Sequence, residues 1–148
     1  MKNTIFMLAF LCTGLCASAS VKATAAKPTV GSLITQFTSS LSPDAFNDAW
    51  KNGGKKEFTK KTKNNENMPV VGDALSAMVS DYMVDGAFNA GWQKVKTRWI
   101  KDAAAANTVK TVSASLLDLQ RYVNPSMFTA KWAKIQPMWE SGLKALAA

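Results

Sequence analysis

Apolar residues return along this chain at intervals of about four. Leu33, Phe37 and Leu41 form one series, Leu75, Val79 and Met83 a second, and Leu116, Leu119 and Val123 a third. Positions i, i+4 and i+8 lie on one side of an α-helix, so each series reads as the buried stripe of an amphipathic helix. The period-two alternation of a half-buried strand is absent from all three. Each stripe is followed by an aromatic pair: "AFNDAW" at 45–50, "AFNAGW" at 87–92 and "MFTAKW" at 127–132. The spacing predicts Phe46 and Trp50, Phe88 and Trp92, and Phe128 and Trp132 on a common face of a second helix. The phenylalanines are 42 and 40 residues apart, which is the period of two-helix repeats. The expected fold is all-α, with three tandem helical hairpins over 30–64, 71–106 and 111–148. They pack as a compact bundle or short solenoid within a single domain spanning 30–148.

Trp99 and Trp139 each follow the preceding Trp by seven residues and extend the same faces, so all five tryptophans fall in the hairpins. The eight aromatics Phe46, Trp50, Phe88, Trp92, Trp99, Phe128, Trp132 and Trp139 read as a structural core. An exposed row of rings would instead stack on sugars or bases. The core reading is preferred because the second helices carry little else to bury.

The turns between stripe and aromatic pair hold capping chemistry. "SPD" at 42–44 and "NPS" at 124–126 place Ser42 and Asn124 ahead of a proline, and "VDG" at 84–86 offers Asp85. Breaks are expected at Gly53–Gly54 and at Pro137, where an interior proline removes a hydrogen bond and crowds the preceding turn. "GWQKVKTRWIKDAAAA" has no breaker and is expected to run on to about Ala106. "KKTKNNENMPVVG" at 60–72 reads as a loop, while "AAAANTVKT" reads as a helix-to-helix junction.

The first residues, "MKNTIFMLAFLCTGLCASAS", stand apart. A lone Lys2, an apolar run from Ile5 to Leu15 and a small-residue exit make the pattern of a secretory signal peptide over 1–19. Cleavage is expected near 19–25, with 20–29 as a flexible lead-in, and the run is too short to span a bilayer. Bulky Leu11 and Leu15 before Cys12 and Cys16 argue against a lipoprotein. Both cysteines lie in this leader, so the mature chain would enter the periplasm or the medium with no disulfide.

The chain is basic, with a formal net charge of +8. Much of the excess is local: "KNGGKKEFTKKTK" holds Lys51, Lys55, Lys56, Lys60, Lys61 and Lys63 against Glu57 alone. "KVKTRWIK" at 94–101 is a second cluster. Such runs are often solvated faces, and they also favour anionic partners such as nucleic acid, anionic lipid or cell-wall polymer.

Histidine is absent, which removes Ser–His–Asp and Cys–His catalysis and imidazole metal sites. No phosphate-binding glycine loop or calcium loop is present. Asp44 and Asp48 flank Phe46 and are spaced to share a helix face, but the corresponding places around Phe88 and Phe128 are Gly86 and Ala90, and Ser126 and Ala130. Asp44 reads as first-turn charge stabilised by the helix dipole. No metal or cofactor is expected. The sequence therefore points to an exported non-enzymatic binding module for another macromolecule, a protein or an anionic polymer. The alternative is a cationic protein that engages an anionic surface through the 51–63 lysines.

Overall fold

The computed structural model describes residues 27–148; the signal-peptide reading, with Cys12 and Cys16, lies outside them. Among the described residues the chain is all-helical, with six α-helices and no strand: α1 Val30–Ser39, α2 Lys55–Thr62, α3 Met68–Ala77, α4 Trp92–Ala105, α5 Val109–Leu119 and α6 Ala130–Ala147. Leu33, Ile34 and Phe37 of α1, Val71 and Leu75 of α3, and Val112, Leu116 and Leu119 of α5 are buried in one continuous core.

The helix starts follow local chemistry. Thr29 and Thr108 cap α1 and α5, each accepting from the amide three residues on, while Ser32 and Thr111 return the bond to the cap. Pro69 lies in the first turn of α3, not in a loop, because a first-turn amide has no helical partner to lose. The linker is accordingly shorter than 60–72, since α2 runs to Thr62 and α3 begins at Met68. Asn64 ends α2 in the left-handed region, a conformation asparagine tolerates better than most residues.

The turns are not side-chain-capped helix starts. Pro43–Ala45, Asp85–Ala87 and Pro125–Met127 are single 3₁₀ turns, and neither Ser42 nor Asn124 makes a side-chain cap bond. Asp85 is the first residue of its turn and pairs with Lys96 at 3.7 Å. Ser42 turns its hydroxyl to the Met127 sulfur, and Asn124 donates to the carbonyls of Gly86 and Phe88. Both residues serve neighbouring segments of the chain.

Phe46, Phe88 and Phe128 are themselves extended, outside any helix, and form antiparallel bridges with Met83, Val123 and Leu41 respectively. Two hydrogen bonds flank each bridge. Asn47 N–H donates to Tyr82 at 2.9 Å, and Val84 N–H to Ala45 at 3.1 Å. Asn89 N–H donates to Tyr122 at 2.8 Å, and Asn124 N–H to Ala87 at 2.8 Å. Thr129 N–H donates to Ser40 at 2.8 Å, and Ser42 N–H to Met127 at 2.7 Å. The third set joins the last segment to the first, so the contacts form a closed circuit in which α6 packs on α1.

The breaks behave differently at their two sites. Gly53 has φ of 146°, a backbone that side-chain-bearing residues rarely adopt, and kinks the chain inside a π-type turn over Trp50–Gly54. α6 instead runs unbroken through Pro137. Pro137 and Ala133, whose carbonyl loses its helical partner, are both exposed, so water can serve that oxygen.

Candidate functional site

The aromatic pairs repeat one geometry. Phe46 stacks on Trp50 with centroids 4.4 Å apart, Phe88 on Trp92 at 4.4 Å, and Phe128 on Trp132 at 4.5 Å. An extended residue before a helix that packs on the first turn fixes the entry angle of the chain, as a hydrophobic staple does. Tyr82 covers Trp50 and Tyr122 covers Trp92, at 5.5 and 5.6 Å. Ser40 occupies the matching place in the third set, and Trp132 packs on Phe37 and Trp139 instead. All five tryptophans are buried, as are Phe46 and Phe88; Phe128 is half-buried.

Trp99 Nε1 donates to Ser115 at 2.9 Å and Trp139 Nε1 to Leu33 at 2.7 Å, each reaching a backbone carbonyl within another stripe helix. Phe58 stands in the equivalent position against Trp50, eight residues on where the others are seven. The π-type turn at Trp50–Gly54 accommodates the extra residue. Phe58 is therefore an interior ring, although the sequence sets it among lysines.

The functional candidates lie outside this core. Lys51, Lys55, Lys56, Lys60, Lys61 and Lys63 are all exposed along α2 and the turn before it. Lys51 approaches Asp48 at 4.0 Å and Lys61 approaches Glu57 at 3.5 Å, both as exposed pairs worth little to stability. Asp44 and Asp48 are both exposed, and Asp48 is almost fully open to solvent. Among the described residues no group of histidine, cysteine or carboxylate side chains could hold a metal ion, and no helix is long and apolar enough to cross a membrane.

Sequence reasoning missed the polar residues that stitch the circuit. Asn47 donates from its side chain to Asp81 and accepts from Trp50 N–H; Asn89 donates to Arg121 and accepts from Gly91 N–H; Thr129 donates to Ser40. Their signal was present: each directly follows the phenylalanine in Phe-(Asn/Thr)-x-x-Trp.

One carboxyl is held below its ordinary range. Gln136 and Gln120 both donate to Glu140 Oε1, at 2.9 and 2.8 Å; these bonds outweigh burial, with smaller help from Lys144 and Arg121. A lowered folded pKa stabilises the fold above the unfolded value of about 4.3, and the gain is lost as pH falls through the lower folded value. Replacing Glu140 by Gln is expected to flatten that acid limb. In urea titrations, wild type and variant should differ at neutral pH and converge as acid protonates Glu140 in the folded protein.

Comparison with protein-family models, with curated proteins and with solved structures finds no match to this chain.

Proposed function

We propose that the chain is an exported, non-enzymatic protein of three tandem helical hairpins whose outer surface binds another macromolecule. The observation that carries this reading is the inward turn of the Phe–Trp pairs: they close the scaffold and leave recognition to the outside. The repeat is supported by equivalent bridges, stacked pairs and indole bonds at equivalent places. Export rests on the leader pattern at 1–19. Mass spectrometry of the mature protein should find an N-terminus within 20–26.

The exposure of all six lysines on and beside α2 favours a second reading, in which the partner is an anionic polymer or lipid surface. Binding of this kind weakens steeply with salt. In sedimentation with anionic vesicles or polyanions, changing Lys55, Lys56, Lys60 and Lys61 to Gln is expected to reduce affinity at least tenfold with helicity unchanged. An affinity flat across salt concentration rejects the anionic reading. Capture of a neutral protein partner by the quadruple variant supports the first reading over it.

A further inference from the structure

The second and third hairpins differ in one place, and a pocket lies beside it in the third. Three residues before Phe88 stands Asp85 and eight after stands Lys96; their ion pair bridges the turn and the second helix beside a ring only 9% exposed. At the same offsets from Phe128 stand Pro125 and Gln136. No ion pair is formed there, Phe128 is half-buried, and a pocket of about 370 Å³ lies between Gln120, Arg121, Pro125, Phe128, Trp132 and Gln136. The first hairpin has Pro43 and Gly54 at these offsets and so lacks the pair as well, but the Tyr82 ring lies against Gly54 and Phe46 is buried at 5%.

The polar groups around this opening have fixed roles. Gln120 and Gln136 both commit their amide nitrogens to Glu140 Oε1, which orients each amide oxygen as an acceptor for another donor. Arg121 is exposed and held only by a 3.9 Å approach of Nη1 to Asp118, so further guanidinium N–H groups remain as donors. Asn89, on the rim, is occupied with Arg121 and Gly91 and acts as a wall. On the aromatic side, Phe128 is stacked on Trp132 and lies T-shaped to Phe37.

We infer that this pocket binds a pyranose-like sugar unit. A sugar ring has an apolar C–H face that packs on an aromatic surface, while its hydroxyls donate to amide oxygens and accept from a guanidinium. The pocket pairs these two kinds of contact, and its volume falls within the range of about 300–1,000 Å³ usual for small-molecule sites. The inference goes beyond the macromolecular reading and is independent of the α2 lysines.

Saturation-transfer NMR on the mature chain tests it, with methyl α-D-glucopyranoside and N-acetylglucosamine as probes, their hexamers maltohexaose and chitohexaose as polymer mimics, and glycerol as a polyol without a ring. At least one sugar is expected to show saturable transfer to its ring protons up to tens of millimolar, with glycerol silent. A hexamer bound several-fold tighter than its monomer assigns the unit to a polymer; equal affinity assigns it to a free sugar. The double variant Pro125→Asp, Gln136→Lys rebuilds the ion pair of the second hairpin and should weaken binding at least tenfold with the circular dichroism spectrum unchanged. Phe128→Leu supplies the same readout should the double variant fail to fold. The α2 quadruple Gln variant should bind sugar as wild type does, which separates this inference from the anionic reading. The inference is overturned by the absence of saturable transfer from every sugar, by glycerol matching the sugars, or by unchanged binding in the folded pocket variants.

Discussion

Replacement of Trp139 by alanine is expected to cost about 3–5 kcal/mol, the range for emptying a large aromatic site. Trp139 is fully buried, stacks on Phe37 at 5.3 Å, meets Trp132 at 5.1 Å, and donates from Nε1 to Leu33. It thus belongs to the seam where α6 meets α1, the only seam of the circuit with no linker between its two helices. A domain of this size has a total stability of about 5–15 kcal/mol, so the variant should sit near the edge of folding. Trp139→Phe separates the two contributions. It keeps most of the ring and loses the N–H, and the Leu33 carbonyl still has its own helix to serve, so the expected cost is about 1 kcal/mol. Phe58 already packs against Trp50 without a donor. Urea unfolding followed by fluorescence and circular dichroism measures both; a Trp139→Ala cost below that of Trp139→Phe contradicts the account.

The second large effect is expected from a single methyl group. Gly72 on α3 lies against the end of α4, and a Cβ there would stand 2.6 Å from the Ala103 carbonyl oxygen and 2.7 Å from that of Ala106. Both are backbone atoms, so no side chain can swing aside; the two helices must separate. Gly72→Ala should therefore destabilise the protein by about 1–3 kcal/mol, the usual range for overpacking. Gly86→Ala is the control. A Cβ at Gly86 meets nothing within 4 Å, and the change should stay within about 0.5 kcal/mol. Thermal unfolding of the two variants side by side should show a clear loss of Tm for Gly72→Ala alone.

The helical class was legible because stripe spacing is a local property: Leu33 and Phe37, or Leu75 and Val79, declare a buried face without reference to the rest of the chain. The aromatic pairs were legible as motifs but misplaced in conformation. Four-residue spacing suits a helix face, yet Phe46, Phe88 and Phe128 are extended, and stacking arises across a helix entrance. Pro69 and Pro137 mislead in the same way, because proline's cost depends on whether its missing amide had a partner and whether the freed carbonyl meets water. The sugar pocket was not legible. It depends on Gln120, Gln136 and Glu140 meeting in space, which has no signature along the chain. The lysine cluster was legible in sequence, but the burial of Phe58 beneath it was not, since that follows from the extra residue in the π-type turn.

The bond from Trp139 to Leu33 spans 106 residues, and the bond from Thr129 to Ser40 spans 89. During synthesis, α1 thus emerges long before the helix that covers it, and its apolar side must wait until 106 further residues have followed Leu33. Ties between distant positions form late, because a long stretch of chain must be gathered before they are rewarded. Completion of the fold is therefore set by the arrival of the last helix, and a nascent chain stalled short of α6 would present Leu33 and Phe37 uncovered.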